Sequence, residues 1–152
     1  AVTHDVSEAK MTIAGVPDKP GVAAQVFRSL ADRDINVDLI VQNVSDHGVT
    51  DISFTIPHDD IPHVEEVTNQ IVKQLQAQGV SVDPEIARVS VIGAGMRTNP
   101  GVAAKMFEVL AEKEINIAMI STSAIRISCV VQESRAEDAV KALHEAFELS
   151  AS

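Results

Sequence analysis

The segment Asp18-Lys19-Pro20-Gly21-Val22-Ala23-Ala24 returns as Thr98-Asn99-Pro100-Gly101-Val102-Ala103-Ala104, eighty residues later. Each copy sets a Pro-Gly turn between an apolar, strand-like run and a helical pattern. The first main-chain N–H groups of a helix have no partner within it and lie at the positive end of its dipole, so such a turn can hold an anion. A free amino acid presents a carboxylate beside an ammonium, and a site for it needs N–H donors next to side-chain or carbonyl oxygens. The N–H groups around Gly21, Val22 and Ala23 can receive the carboxylate, while Asp18, Asn36, Asp38 or Gln42 can accept from the ammonium. The second copy offers Asn99, Val102 and Ala103 at its turn, with Asn116, Ile117, Ser121 and Ser123 on the next strand. Spacing alone leaves another reading open, in which Pro-Gly is only a turn and Asn36 and Asn116 only begin strands.

The elements that must position these groups follow from periodicity. Residues 2–6 alternate and read as a short strand, and residues 9–16 as a second, with Met11 and Ile13 on one face. Pro20 fixes φ and Gly21 tolerates positive φ, so the chain can bend there and enter a helix. Val22, Ala23, Val26, Phe27, Leu30 and Ala31 give a helical stripe over residues 22–34. A strand is expected from Ile35 to Val44, a hairpin turn at Ser45-Asp46-His47-Gly48, and a returning strand over 50–56 with Ile52, Phe54 and Ile56 alternating. A second helix spans residues 61–77, with Pro62 in its first turn and Gly79 at its end. Residues 80–82 form a last strand.

The order is β-α-β-β-α-β, the split βαβ arrangement of ferredoxin-like folds, and it then restarts. Residues 87–92 form a strand, 102–114 a helix, 115–123 and 126–131 a shorter hairpin, and 134–147 a helix. The second unit lacks its final strand, whereas residues 2–6 were left without a partner. The N-terminal strand is therefore expected to complete the second sheet. The first unit (residues 7–83) would then be inserted within the second (residues 2–6 plus 86–149).

Composition narrows the function. A net charge of −10, no Trp or Tyr, and singly scattered Lys and Arg weigh against nucleic acid. No apolar run is long enough for a bilayer and no signal-peptide succession opens the chain, so a cytoplasmic protein with no membrane contact is expected. One cysteine, Cys129 in an apolar run, excludes an internal disulfide and reads as a buried thiol. Acidic pairs such as Glu65-Glu66 and Glu137-Asp138 fall on polar helix faces, and no nucleophile elbow or complete nucleotide fingerprint is present. His58, Asp59, Asp60 and His63 form the densest ligand-like group, but a solvated turn accounts for them better than a metal. No catalytic residue, metal site or cofactor is expected.

Taken together, the tandem units, the Asp18-Lys19-Pro20-Gly21 turn and the run Ile35-Asn36-Val37-Asp38-Leu39-Ile40-Val41-Gln42-Asn43-Val44-Ser45 resemble the paired ACT domains of aspartate kinase. The second unit is similar through Val91-Ile92-Gly93-Ala94-Gly95-Met96, Pro100-Gly101-Val102, Ile120-Ser121-Thr122-Ser123 and Ile125-Arg126-Ile127-Ser128. The resemblance implies an α+β fold of two ferredoxin-like βαββαβ units (ACT domains), with antiparallel sheets and helices on one face. It also implies an allosteric regulatory subunit or region for feedback inhibition of aspartate-family amino-acid biosynthesis. Nothing here resembles that family's Lys-Phe/Tyr-Gly-Gly motif, so no phosphotransfer is expected from this chain alone. The implied effector is threonine, lysine or both, at seams between units. Carried over, its contacts are Asp18, Lys19, Pro20, Gly21, Val22, Ala23, Asn36, Val37, Asp38 and Gln42, faced by Val102, Ala103, Asn116, Ile117, Ser123 and Ala124. Ala124 stands where the family usually has Glu, which removes a carboxylate from the second seam. The implied assembly is a homodimer of tandems or a heterotetramer with the catalytic kinase subunit. Two other readings remain: an ACT sensor serving another enzyme or regulator, and an acylphosphatase-like enzyme. The latter wants an Arg in its first loop, for which Lys19 and Arg97 are only approximate substitutes.

Overall fold

A computed structural model of the chain describes residues 2–43, 47–93, 101–123 and 125–148. In chain order the elements are β1 (Val2–Asp5), β2 (Glu8–Pro17), α1 (Val22–Ala31), β3 (Ile40–Gln42), β4 (Val49–Pro57), α2 (Ile61–Leu75), β5 (Gly79–Asp83), β6 (Ile86–Ile92), α3 (Gly101–Glu112), β7 (Met119–Thr122), β8 (Arg126–Gln132) and α4 (Ala136–Glu148). They divide into two units, one of Ser7–Pro84 and the other of residues 1–6 and 85–152.

The first unit is a four-stranded sheet in the order β3-β4-β2-β5, antiparallel throughout. Ala9, Met11 and Ile13 of β2 and Ile52, Phe54 and Ile56 of β4 alternate onto one face. There they meet Val26 and Leu30 of α1 and Val64, Val67 and Ile71 of α2. The second unit has the order β1-β6-β8-β7, also antiparallel, with β1 against the outer side of β6. Ala87, Val89, Val91, Ile127, Cys129 and Val131 pack there against Met106 and Leu110 of α3 and Ala139 and Leu143 of α4. On the other face of each sheet a pair of hydroxyls bridges the two central strands, Thr12 with Ser53 (2.9 Å) and Ser90 with Ser128 (2.7 Å).

The helices end differently from the expectation. α1 stops at Ala31, three residues before the anticipated Asp34, because Asp34 takes a left-handed φ of 57°. The Asp34 N–H then donates to Ala31 O and the Ile35 N–H to Leu30 O, both at 3.0 Å, which is a Schellman closure. Ile35, nearly fully buried, packs in the same core as Leu30. The repeat preserves the device, with Glu114 at φ 57°, Glu114 N–H to Ala111 O and Ile115 N–H to Leu110 O. Likewise α2 is ended by Gln76 at φ 56°, ahead of Gly79.

β3 is also shorter than the strand expected from Ile35 to Val44. The buried Thr55 intercepts the chain first: the Asp38 N–H donates to Thr55 O and the Leu39 N–H to Thr55 Oγ1, each at 3.0 Å. Ladder pairing with β4 therefore begins only at Ile40. Among the described residues no helix is long and apolar enough to cross a membrane.

Cys129 lies on the core face of β8 with no exposed surface, and burial pushes its thiol up from 9.0 to about 11. The unfolded chain therefore loses this proton first as pH rises. The second unit should keep its full stability below about pH 9 and lose stability between about 9 and 11, where only the unfolded thiol is ionised. Labelling by iodoacetamide at pH 8 should be blocked in the folded protein and track urea unfolding of the second unit. Rapid labelling of the native protein would place the thiol at the surface.

Candidate functional site

The N-terminal end of α1 is built without a side-chain cap. Gly21 occupies the cap position at φ 90° and ψ −15°, with open space around the position a Cβ would take, so the backbone angle rather than crowding selects glycine there. The loop before it is held by main-chain bonds. Asp18 N–H donates to Gly48 O (2.9 Å), Lys19 N–H to Pro17 O (3.1 Å), and Val22 N–H to Lys19 O (3.3 Å). Gln25 N–H takes Gly21 O at 3.0 Å. The N–H groups of Ala23 and Ala24 have no acceptor among the described residues, which leaves two donors at the positive end of the helix.

A cavity of about 340 Å³ opens beside these donors. Its lining is Val16 and the whole loop Pro17, Asp18, Lys19, Pro20, Gly21, Val22 and Ala23, with Gln42 from β3 and Thr50 and Ile52 from β4. The register accounts for the convergence, since β4 pairs Thr50 with Val16 and Ile52 with Gln42. Asp18, Lys19 and Gln42 are exposed, and among the described residues their side chains have no hydrogen-bond or ionic partner. The arrangement thus offers N–H donors, a free carboxylate, a free ammonium and a free amide around a small volume. That set is complementary to a zwitterion. It holds no nucleophile and base in contact.

Seven of the residues expected at the first site therefore meet in one place: Asp18, Lys19, Pro20, Gly21, Val22, Ala23 and Gln42. Asn36, Val37 and Asp38 do not line the cavity; Asn36 and Asp38 are exposed and Val37 packs against the first core. In the second unit Val102, Ala103 and Ile117 pack against the core, and Asn116 is exposed. Ser123 closes the β7–β8 turn, its N–H donating to Arg126 O at 2.8 Å. Thr98, Asn99, Pro100 and Ala124 lie outside the described residues. Val16, Thr50 and Ile52 were missed as wall residues. Their signal was the alternation on either side of the His47-Gly48 turn, which puts every second residue of β4 on the cavity side.

Family models described as ACT domains match residues 10–76 and 89–147. The regulatory subunit of aspartate kinase from Thermus thermophilus, in its ligand-free form, superposes with a TM-score of 0.91 at 38% identity, covering 96% of each chain. A crystal structure of aspartokinase alpha and beta subunits gives 0.92 at 42% identity, covering 97% of each. The chain belongs to the regulatory ACT-domain family of aspartokinases. Aspartokinases from Corynebacterium efficiens (47% identical) and Mycolicibacterium smegmatis (49%) match over 150 residues, 97% of this chain. The chain spans 36% of the length of these relatives. Escherichia coli aspartokinase III, solved with lysine and aspartate, is 26% identical with a TM-score of 0.69, and the match covers 95% of this chain and 32% of that one. As an aspartokinase regulatory region, the chain carries its cavity on an ACT unit, with the helix end and the strands that line it all within residues 7–84.

Proposed function

We propose that this ACT tandem is the effector-sensing part of an aspartate kinase and that the cavity beside Gly21 binds threonine, with lysine as the second candidate. The observation that carries the reading is the meeting of the free Ala23 N–H, the Asp18 carboxylate and the Gln42 amide around one small volume. A cavity of about 340 Å³ falls at the lower end of the roughly 300–1,000 Å³ found for small-molecule sites, which favours the shorter side chain. The effector carboxylate takes the helix N–H groups, its ammonium takes Asp18, and its side-chain hydroxyl takes Gln42. The exposed loop leaves room for a partner unit to close over the ligand, in a homodimer of tandems or with a catalytic subunit, in the cytoplasm. Binding then favours one arrangement of the assembly, by no more than the difference in effector affinity between the two arrangements.

Calorimetry against a panel of free amino acids tests the reading. Threonine should give saturable heat, and Asp18→Ala should weaken it by about 10-fold or more through loss of a charge-assisted bond, without lowering the unfolding temperature. No heat with any amino acid would remove the sensor; undiminished binding by Asp18→Ala would assign the ammonium to another group.

A further inference from the structure

The cavity has two walls that are far apart in sequence, the loop of residues 17–23 and the end of β3 at Gln42, and one residue is hydrogen-bonded to the chain beside each of them. Asp51 in β4 alternates with Thr50 and Ile52, so its side chain lies on the sheet face away from the cavity. Its Oδ1 accepts the Gly15 N–H at 3.0 Å. Gly15 sits in the irregularity of β2, where the register with β4 shifts between Ile13 and Val16, and has φ 67°. A Cβ there would come within 2.3 Å of Gln78, whose own N–H is tied to Ala14 O (2.8 Å). The register shift takes this N–H out of the ladder, and the Asp51 carboxylate accepts it. From the same residue, the Asp51 carbonyl accepts the Asn43 N–H (3.1 Å), while Thr50 Oγ1 donates to Asn43 O. One side of Asp51 fixes where the loop leaves β2, and the other fixes Asn43, next to Gln42.

The second unit lacks this carboxylate. Its corresponding position is Arg126, whose carbonyl accepts the Ser123 N–H as Asp51 accepts that of Asn43, but the N–H of Gly93 is taken by the main-chain carbonyl of Ile125 (3.0 Å). Among the described residues the side-chain latch is present in the first unit and is replaced by a main-chain bond in the second.

We infer that Asp51 is the positioning residue of this site. Its carboxylate latches the Gly15 bulge so that the 17–23 loop and Gln42 are held at a fixed spacing for the effector. The assignment of an effector rests on the function proposed above, whereas the latch does not, and the experiment separates them. Amide exchange by mass spectrometry on the ligand-free full chain would compare the wild type, Asp51→Ala and Asp51→Asn. Pro17 and Pro20 carry no amide hydrogen and the Gly21 and Ala23 N–H groups have no acceptor among the described residues, so the reporters are Gly15, Val16, Asp18, Lys19 and Val22. In Asp51→Ala, exchange over this segment should accelerate about tenfold while β5 and α2 stay protected, and threonine affinity should fall about tenfold. Asp51→Asn should restore both, because its amide oxygen can accept the same N–H; a merely structural loss of charge would not be rescued. Unchanged exchange in Asp51→Ala, or Asp51→Asn behaving like Asp51→Ala, overturns the latch. Faster exchange in a protein whose wild type binds no amino acid would uphold the latch and overturn the effector reading.

Discussion

Phe54→Ala is expected to destabilise the first unit by about 3–5 kcal/mol, the cost typical of truncating a fully buried aromatic. Phe54 has no exposed surface and sits in the middle of β4, between Ile52 and Ile56. Its ring meets Phe27 of α1 edge-to-face, with centroids 5.9 Å apart and planes at 76°. The substitution therefore leaves a void at the contact between the helix capped by Gly21 and the strand that supplies Thr50 and Ile52. Both elements wall the cavity, so the amino-acid binding proposed for it should fail along with stability. Domains of this size are stable by only about 5–15 kcal/mol, so the loss would take most of the unit's margin. Phe54→Leu, which keeps much of the volume, should cost less than about 1.5 kcal/mol. With no Trp or Tyr in the chain, the measurement is urea unfolding followed by circular dichroism. A loss under 1 kcal/mol for Phe54→Ala would mean that the helix and sheet repack freely around the void.

The amount of this architecture legible in the sequence follows the range over which each feature is determined. The duplicated Pro-Gly turn, the 3.6-residue stripes of the helices and the alternation of β4 are local, and they are enough to give the element order and to single out the turn before α1, with Gln42 as one of several candidate acceptors. Helix ends proved less legible because Asp34, Glu114 and Gln76 take left-handed angles normally signalled by glycine. At Asp34 and Glu114 that conformation accompanies the burial of the next residue, Ile35 or Ile115, which is a tertiary fact. The start of β3 depends on Thr55, sixteen residues from Leu39, and the hydroxyl bond between them has no pattern in the chain. This is also why Asn36 and Asp38 stood beside Gln42 as candidate acceptors, and Val37 beside them by the resemblance, yet only Gln42 reaches the cavity wall. Asp51 was invisible for a similar reason. An acidic residue on a strand reads as solvent-facing until the bulge at Gly15 places an orphan N–H in front of it.

Removing residues 1–6 should destabilise the second unit by several kcal/mol and leave the first nearly unchanged, although the deleted segment directly precedes the first unit in sequence. β1 pairs with β6 over four residues, from Val2 opposite Val91 to Asp5 opposite Arg88, and at about 1 kcal/mol net per main-chain hydrogen bond that ladder is the larger part of the loss. Val2 adds apolar contact with the second core. In the first unit the matching place beside β2 is filled by β5, which follows α2 directly. Among the described residues no strand follows α4, so β6 would be left with an open edge while Val89 and Val91 on it remain core residues. Amide exchange should accelerate in β6 and β8 and stay at wild-type rates in β2 and β4. A synthetic peptide of residues 1–7 added in trans should slow it again, because the vacated edge is a ready template for an antiparallel strand. Faster exchange in β2 and β4 than in β6 and β8 would show that the N-terminal segment supports the first unit. Equal acceleration in both would show that the two units open as one cooperative body, so that an event at the cavity in residues 7–84 is felt by the second sheet as well.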